Sequence, residues 1–274
     1  MHVVPLHAHN PGPFTGKGNW TYLILAGETT LIDAGVGKPE HLDALAAALD
    51  DAQALGLSGR LDRVLVTHAH SDHIAGVGAI AERWPEASFH KFLWPERDPA
   101  FHDPGWRPLV DDQVVAAGNV GLWTMHTPGH APDHVVFLEP RSGTLFGGDL
   151  VVNGSSVVIP ASGFGSMSAY LRSLHRVLDL QPRRILPAHG TPIDNPAALL
   201  RNYIRHRLQR ERQVVDYLST HEPTTAHGIA ADIYRGVSET LIKAAADSVL
   251  AHLVKLEEDG RAERLPDSDT WRLR

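Results

Sequence analysis

The sequence predicts an α/β protein in two parts. Residues 1–200 should form two layers of sheet with flanking helices, and residues 201–274 a small winged-helix domain. Three observations carry this. Apolar runs of strand length recur through the first part, and several close on a histidine or an aspartate. Alanine- and leucine-rich segments with helical spacing lie among them. The tail then changes to three helices and a short hairpin, the order of a winged helix.

Taken in order, Asn19 to Asp33 holds two strands, Thr21 to Leu25 and Thr29 to Asp33, around the turn Ala26-Gly27-Glu28. Pro39 to Leu55 has the spacing of an amphipathic helix, and Ile74 to Trp84 that of a second. Val120 to Met125, Val135 to Leu138, Thr144 to Phe146 and Arg184 to Leu186 read as strands. Ser168 to Leu180 is a helix capped by Ser168, with Tyr170, Leu171, Leu174, Val177 and Leu178 on one apolar face. Three irregular stretches should border a pocket: Pro11–Gly18, Trp94–Trp106 with its Trp94, Phe101 and Trp106, and Val151–Ser166.

In the tail, Ala197 to Ser219 is a long helix bearing Arg201, Arg205, Arg207 and Arg210. Glu222-Pro223 breaks it. Thr224 or Thr225 caps a short helix reaching Tyr234. Ser238 caps a third, which Asp259-Gly260 ends. Arg261 to Arg274 then folds as a hairpin around Pro266 to Asp269.

The stretch from Val64 to Gly76 packs His68, His70, Asp72 and His73 into six residues at a strand exit. Four such side chains buried without partners would cost too much desolvation. Neutral imidazoles and a carboxylate converging on zinc resolve this. Three further candidates follow apolar runs: His130 in Thr127-Pro128-Gly129-His130, Asp149 in Gly147-Gly148-Asp149, and His189 in Ala188-His189-Gly190. The adjoining glycines suit tight turns.

This set, in this order and these local contexts, resembles the ligand set of the metallo-β-lactamase fold superfamily over about residues 1–200. The resemblance implies an αββα sandwich with a metal pair on one edge. It places His68, His70 and His130 on a first metal, Asp72, His73 and His189 on a second, and Asp149 between them. The metals would be two Zn2+, with iron or manganese as alternatives. Two ions about 3.5–4 Å apart can share a hydroxide, which attacks an ester-type bond. Asp72 is the catalytic candidate, accepting a hydrogen bond from that hydroxide. His126 and Asp133 or His134 are candidates to fix imidazole tautomers. Asp33, at a strand end near the site, is read as structural.

The tail narrows the resemblance. Tyr203 to Arg212, Ala251 to Gly260 and Asn10 to Gly16 look like the β-lactamase-like protein 2 group. Its animal mitochondrial members are single-strand endoribonucleases, and related fungal proteins cleave polyketide thioesters.

Composition fits a soluble enzyme, expected in the cytoplasm, and the resemblance implies a metal-dependent hydrolase. No signal peptide is evident, no run of eighteen apolar residues exists, and cysteine is absent, which removes disulfides and thiolate ligands. The net charge is −7, all of it in residues 1–200, because residues 201–274 carry 12 residues of each sign. The third tail helix has no basic face, since Lys243 and Lys255 stand against Asp247, Glu257 and Glu258. Homodimer support or cover of the active site is therefore favoured for the tail over nucleic-acid contact. Two substrate classes stand side by side: single-stranded RNA, and a small acyl ester, thioester or lactone. A non-enzymatic binding module comes third, because the ligand set is intact. No membrane association is expected.

Overall fold

The computed structural model describes residues 1–236 and 238–274. They group into two compact units. The first takes residues 1–127, 133–155 and 181–196, and the second takes 128–132, 156–180 and 197–274.

The first unit opens with β1 (His2–His7), β2 (Trp20–Ala26) and β3 (Glu28–Ile32). Helix α1 (Pro39–Ala54), β4 (Arg63–Val66), the single turn α2 (Ser71–Ile74), α3 (Val77–Arg83), β5 (Ser88–Lys91) and β6 (Arg107–Pro108) follow. The six strands form one sheet in chain order, antiparallel through β3 and parallel from β3 to β6. A second sheet holds β7 (Val114–Ala117), β8 (Val120–His126), β9 (Val135–Glu139), β10 (Thr144–Gly148) and β11 (Arg184–Pro187). Only the β10–β11 pair in it is parallel.

Period-2 alternation sends Tyr22, Ile24, Ile32 and Leu65 from the first sheet into a shared core with Leu122, Val135, Phe137 and Phe146 from the second. The core holds the strand ends rigidly. His68, Asp149 and His189 all lie just beyond the C-terminal ends of parallel strands, where ligands of α/β sheets bind.

The helix expected over Ile74 to Trp84 is instead two pieces, α2 and α3, separated at Ala75-Gly76. The break has a steric cause. Gly76 N donates to Gly35 O at 3.0 Å, and a Cβ at Gly76 would lie 2.1 Å from Ala34 O. With Ala34 N donating to His73 O at 2.8 Å, the metal-type loop is fastened to the end of β3.

The second unit contains α4 (Met167–Leu180), α5 (Pro196–Thr220), β12 (Thr224–Thr225), α6 (Ala226–Ile233), α7 (Glu239–Glu258), β13 (Ala262–Arg264) and β14 (Thr270–Leu273). The boundary expected at 200/201 falls inside α5. Helix α4 starts one residue before the expected cap: Ser166 Oγ accepts from Ala169 N at 3.2 Å, while the Ser168 hydroxyl bonds Glu258. Thr225 caps α6 by accepting from Gly228 N. Val214 and Leu218 of α5 pack with Ile229, Val249, Leu253, Leu256 and Trp271, and β12-β14-β13 forms the wing.

This core contains a buried imidazole. His252 is fully buried, and burial, helped by the charges of Arg207 and Lys255, pushes it down to about 3 from 6.5. The unfolded chain therefore binds a proton below about pH 6.5 that the folded chain refuses until about pH 3. Stability is complete above pH 6.5 and falls as the pH drops, by about 2 kcal/mol at pH 5 from this group. Denaturant midpoints for the parent and His252→Leu should diverge between pH 7 and 5, with the parent losing more. Parallel profiles would remove His252 from the acid response.

Candidate metal centre

The site is built on the loop after β4. Asp33, just past β3, has φ 63°, a conformation Asp tolerates better than most residues, and is 2 % exposed. Its Oδ1 accepts from Thr67 N at 2.7 Å, and its Oδ2 accepts from Thr67 Oγ1 at 3.0 Å and from His73 Nδ1 at 2.8 Å. His73 Nδ1 thus carries a proton, and Nε2 is the nitrogen turned toward the other carboxylates. Thr67 Oγ1, its hydrogen given to Asp33, lies 3.1 Å from His68 Nδ1 and can accept from it. The same logic leaves His68 Nε2 as its acceptor nitrogen, 3.0 Å from His70 Nδ1. These are the outer-shell bonds that metal-binding imidazoles need.

His73 Nε2 faces two carboxylates, Asp72 Oδ2 at 3.4 Å and Asp149 Oδ1 at 3.6 Å. His189 Nε2 faces the same two, at 3.2 and 3.3 Å. Asp72, His73 and His189 form one group with ligand atoms within 4.8 Å of each other, and His68, His73 and Asp149 form another. Asp149 belongs to the second group, and its Oδ1 also reaches His189 of the first at 3.3 Å.

Asp149 is held from behind. Its backbone N donates to His134 Nε2 at 3.0 Å, which places the His134 proton on Nδ1, 2.8 Å from Thr127 Oγ1. Of the three candidates for fixing imidazole tautomers, His134 is seen instead to hold the Asp149 backbone. Asp133 pairs instead with buried Lys91 at 3.2 Å, and His126 stacks on Phe92. His189 follows β11 on a loop tied by Ala188 N to Gly148 O and by Trp20 N to Ala188 O.

His130 lies in the second unit. Its Nδ1 donates to Val158 O at 2.8 Å, leaving Nε2 as the acceptor nitrogen. The glycine before it is required: Gly129 has φ 138°, and a Cβ there would meet Tyr170 Cα at 2.4 Å.

Electrostatics favour a cation. Burial alone would raise Asp72 and Asp149, but His73 and His189 outweigh it and hold both carboxyls well below the usual range. Burial alone would lower the imidazoles, but Asp72, Asp33 and Asp149 hold His73 well above its ordinary value, and Asp149 with Asp72 raises His189 to about 9. The buried His73 Nε2 makes no hydrogen bond among the described residues. The carboxylates call for positive charge at Nε2, and a divalent ion can supply it in place of the proton they favour there.

Sequence reasoning did not single out Asn19. It is fully buried at the start of β2, and its Nδ2 donates to Asp72 O at 2.8 Å across the sheet end. Asn19 also forms a bridge with His189, so one residue touches both loops. A polar residue before an apolar strand carries no signal of this. Asn19→Ala should weaken divalent-metal binding about tenfold in a chelator competition. Unchanged affinity would mean that Asp72 is held by its own turn alone. The Pro11–Gly18 stretch, expected near a pocket, closes by the Gly12–Gly16 bridge and presents Phe14 72 % exposed at its tip. Trp94, in the second such stretch, is buried, and its backbone N donates to Asp98 Oδ2.

Residues 14–189 match the metallo-beta-lactamase superfamily, and residues 225–271 match the beta-lactamase associated winged helix domain. A beta-lactamase-like protein 2 homolog of Drosophila melanogaster is 33% identical over 94% of this chain and 89% of its own length. An atrochrysone carboxyl ACP thioesterase of Aspergillus chevalieri is 33% identical over 79% of this chain and 65% of its own. The crystal structure of a metallo-beta-lactamase family protein from Thermus thermophilus superposes with a TM-score of 0.79 at 23% identity, covering 99% of this chain and 98% of that one.

Proposed function

Because the chain belongs to the metallo-beta-lactamase superfamily and carries its associated winged-helix domain, we propose that it is a metal-dependent hydrolase of an acyl thioester or ester. The observation that carries this is the convergence of His73 Nε2 and His189 Nε2 on the carboxylates of Asp72 and Asp149. Asp72, His73 and His189 would hold one ion, and His68, His70 and, by its motif, His130 a second, with Asp149 shared. Zinc suits this set of nitrogen and oxygen donors. Bound there, the ions would make water nucleophilic at neutral pH and polarise the substrate carbonyl.

The chain's own residues do the rest. Asp72, held anionic, accepts the proton that the attacking water gives up. The water oxygen bonds to the carbonyl carbon, the C–S or C–O bond breaks, and the leaving thiolate or alkoxide takes that proton. The products are a carboxylic acid and a thiol or alcohol. Asp33 and His134 keep His73 and Asp149 in place throughout. An acyl substrate is favoured over RNA on two grounds. One relative bears the name of a thioesterase. On α7, the helix a winged helix would use for nucleic acid, Lys255 is already paired with Glu211 at 3.0 Å and Asp259 at 2.6 Å.

The test is thiol release from an N-acetylcysteamine acyl thioester by the zinc-loaded protein, run beside labelled single-stranded RNA, with Asp72→Asn as control. Thiol release that the variant and a chelator both abolish supports the reading. RNA cleavage lost in Asp72→Asn, without thiol release, would replace it with an endoribonuclease.

A further inference from the structure

A basic groove on the second unit remains outside this chemistry. Helices α4 and α5 enclose a depression of about 250 Å³. Its floor is apolar, built from Leu178, Ile204 and Leu208, and Leu208 is 40% exposed. Its border is cationic: Arg201, Arg205 and Arg212 line it from one face of α5, at helical spacings of four and seven residues. All three are exposed, and none is ion-paired among the described residues. Arg205 bonds only Asn202 Oδ1, at 2.7 Å. Glu211, the acid beside them in sequence, is turned inward to Lys255 and Arg261.

We propose that this groove docks an acidic amphipathic helix of a partner protein. The three arginines span about 16 Å of α5, three helical turns. A helix laid along them would set carboxylates at matching four- and seven-residue spacings against the guanidiniums and press an apolar stripe onto Leu208 and Leu178. Apart from His175 the uncharged lining is aliphatic, which suits a leucine stripe better than a run of stacked bases. On a chain of net charge −7, an unpaired cluster of one sign beside exposed leucine marks a contact surface. The inference is independent of which bond the metal centre hydrolyses.

The test uses the full chain and a labelled 18-residue helical peptide carrying a leucine stripe flanked by glutamates, read by fluorescence anisotropy. Saturable binding is expected, weakened about tenfold or more by combined Arg201→Glu, Arg205→Glu and Arg212→Glu, and likewise by raised salt. Leu208→Asp should weaken it too, and the same peptide with lysines for glutamates should not bind. The thermal midpoint of each variant checks the fold, and salt dependence in the parent stands even if a variant misfolds. No binding, or binding indifferent to the reversals and to salt, overturns the proposal. So does tighter, groove-dependent binding of an oligouridylate, which would make the surface a nucleic-acid contact.

Discussion

Asp149→Ala is expected to abolish hydrolysis, by well over a hundredfold, and to leave at most one metal ion per chain. The size follows from position. Asp149 Oδ1 sits 3.6 Å from His73 Nε2 and 3.3 Å from His189 Nε2, and it adjoins His68 as well, so removing it disturbs both groups of ligands. Changes one shell further out typically cost 10–100-fold in metal affinity or activity, and a shared ligand should exceed that. The fold should survive. The structural anchor at this point is the backbone N–H of residue 149 bonded to His134 Nε2, which alanine retains. Loss of the carboxylate also weakens the pull that keeps His73 and His189 protonated, and Asp72 stays beside both, so either imidazole can shed its extra proton rather than remain an unpaired cation. Elemental analysis with thermal unfolding decides the matter. Two tightly held ions in a folded variant would refute the bridging assignment.

Why so much of this site was legible in the sequence is itself physical. Candidate ligands at strand exits are readable because apolar runs of strand length announce where a chain leaves a sheet, and His68, Asp149 and His189 follow such runs. The tail was readable for a similar reason: Thr225 and Gly260 punctuate helices by side-chain capping and by a φ of 71°, both local effects. What escaped depends on long-range contact. Gly76 breaks the helix after the metal loop because a carbonyl from residue 34 approaches it, and nothing within the segment 74–84 encodes that carbonyl. Asn19 reaches Asp72 across 53 positions of sequence. The buried Lys91, held by Asp98 at 2.6 Å and Asp133 at 3.2 Å, ties the end of β5 to the turn at Asp98 and the loop at Asp133, and has no local pattern. The boundary at 200/201 followed the change in composition. Contacts group instead by packing, and they draw residues 128–132 and 156–180 into the unit that holds the tail.

Asp33 offers the sharpest division between fold and site. Asp33→Ala is expected to destabilise the protein by about 3–5 kcal/mol. It leaves the buried Thr67 N–H, the Thr67 hydroxyl and His73 Nδ1 without their acceptor, and it puts alanine at φ 63°. Asp33→Asn is the informative variant. Asparagine accepts the positive φ, and its carbonyl can still accept from Thr67 N. Its NH2 group then stands where Oδ2 was, facing His73 Nδ1. A donor there forces Nδ1 to become the acceptor, and the imidazole proton moves to Nε2. That nitrogen is the one aimed at Asp72 and Asp149, and once protonated it cannot ligate a metal. Asp33→Asn should therefore melt close to the parent yet bind divalent metal about 10–100-fold more weakly, with activity falling in step. Chelator competition and a thermal melt on the same sample separate the two effects. Parental metal affinity in a folded Asp33→Asn would show that the His73 tautomer is set by something other than Asp33.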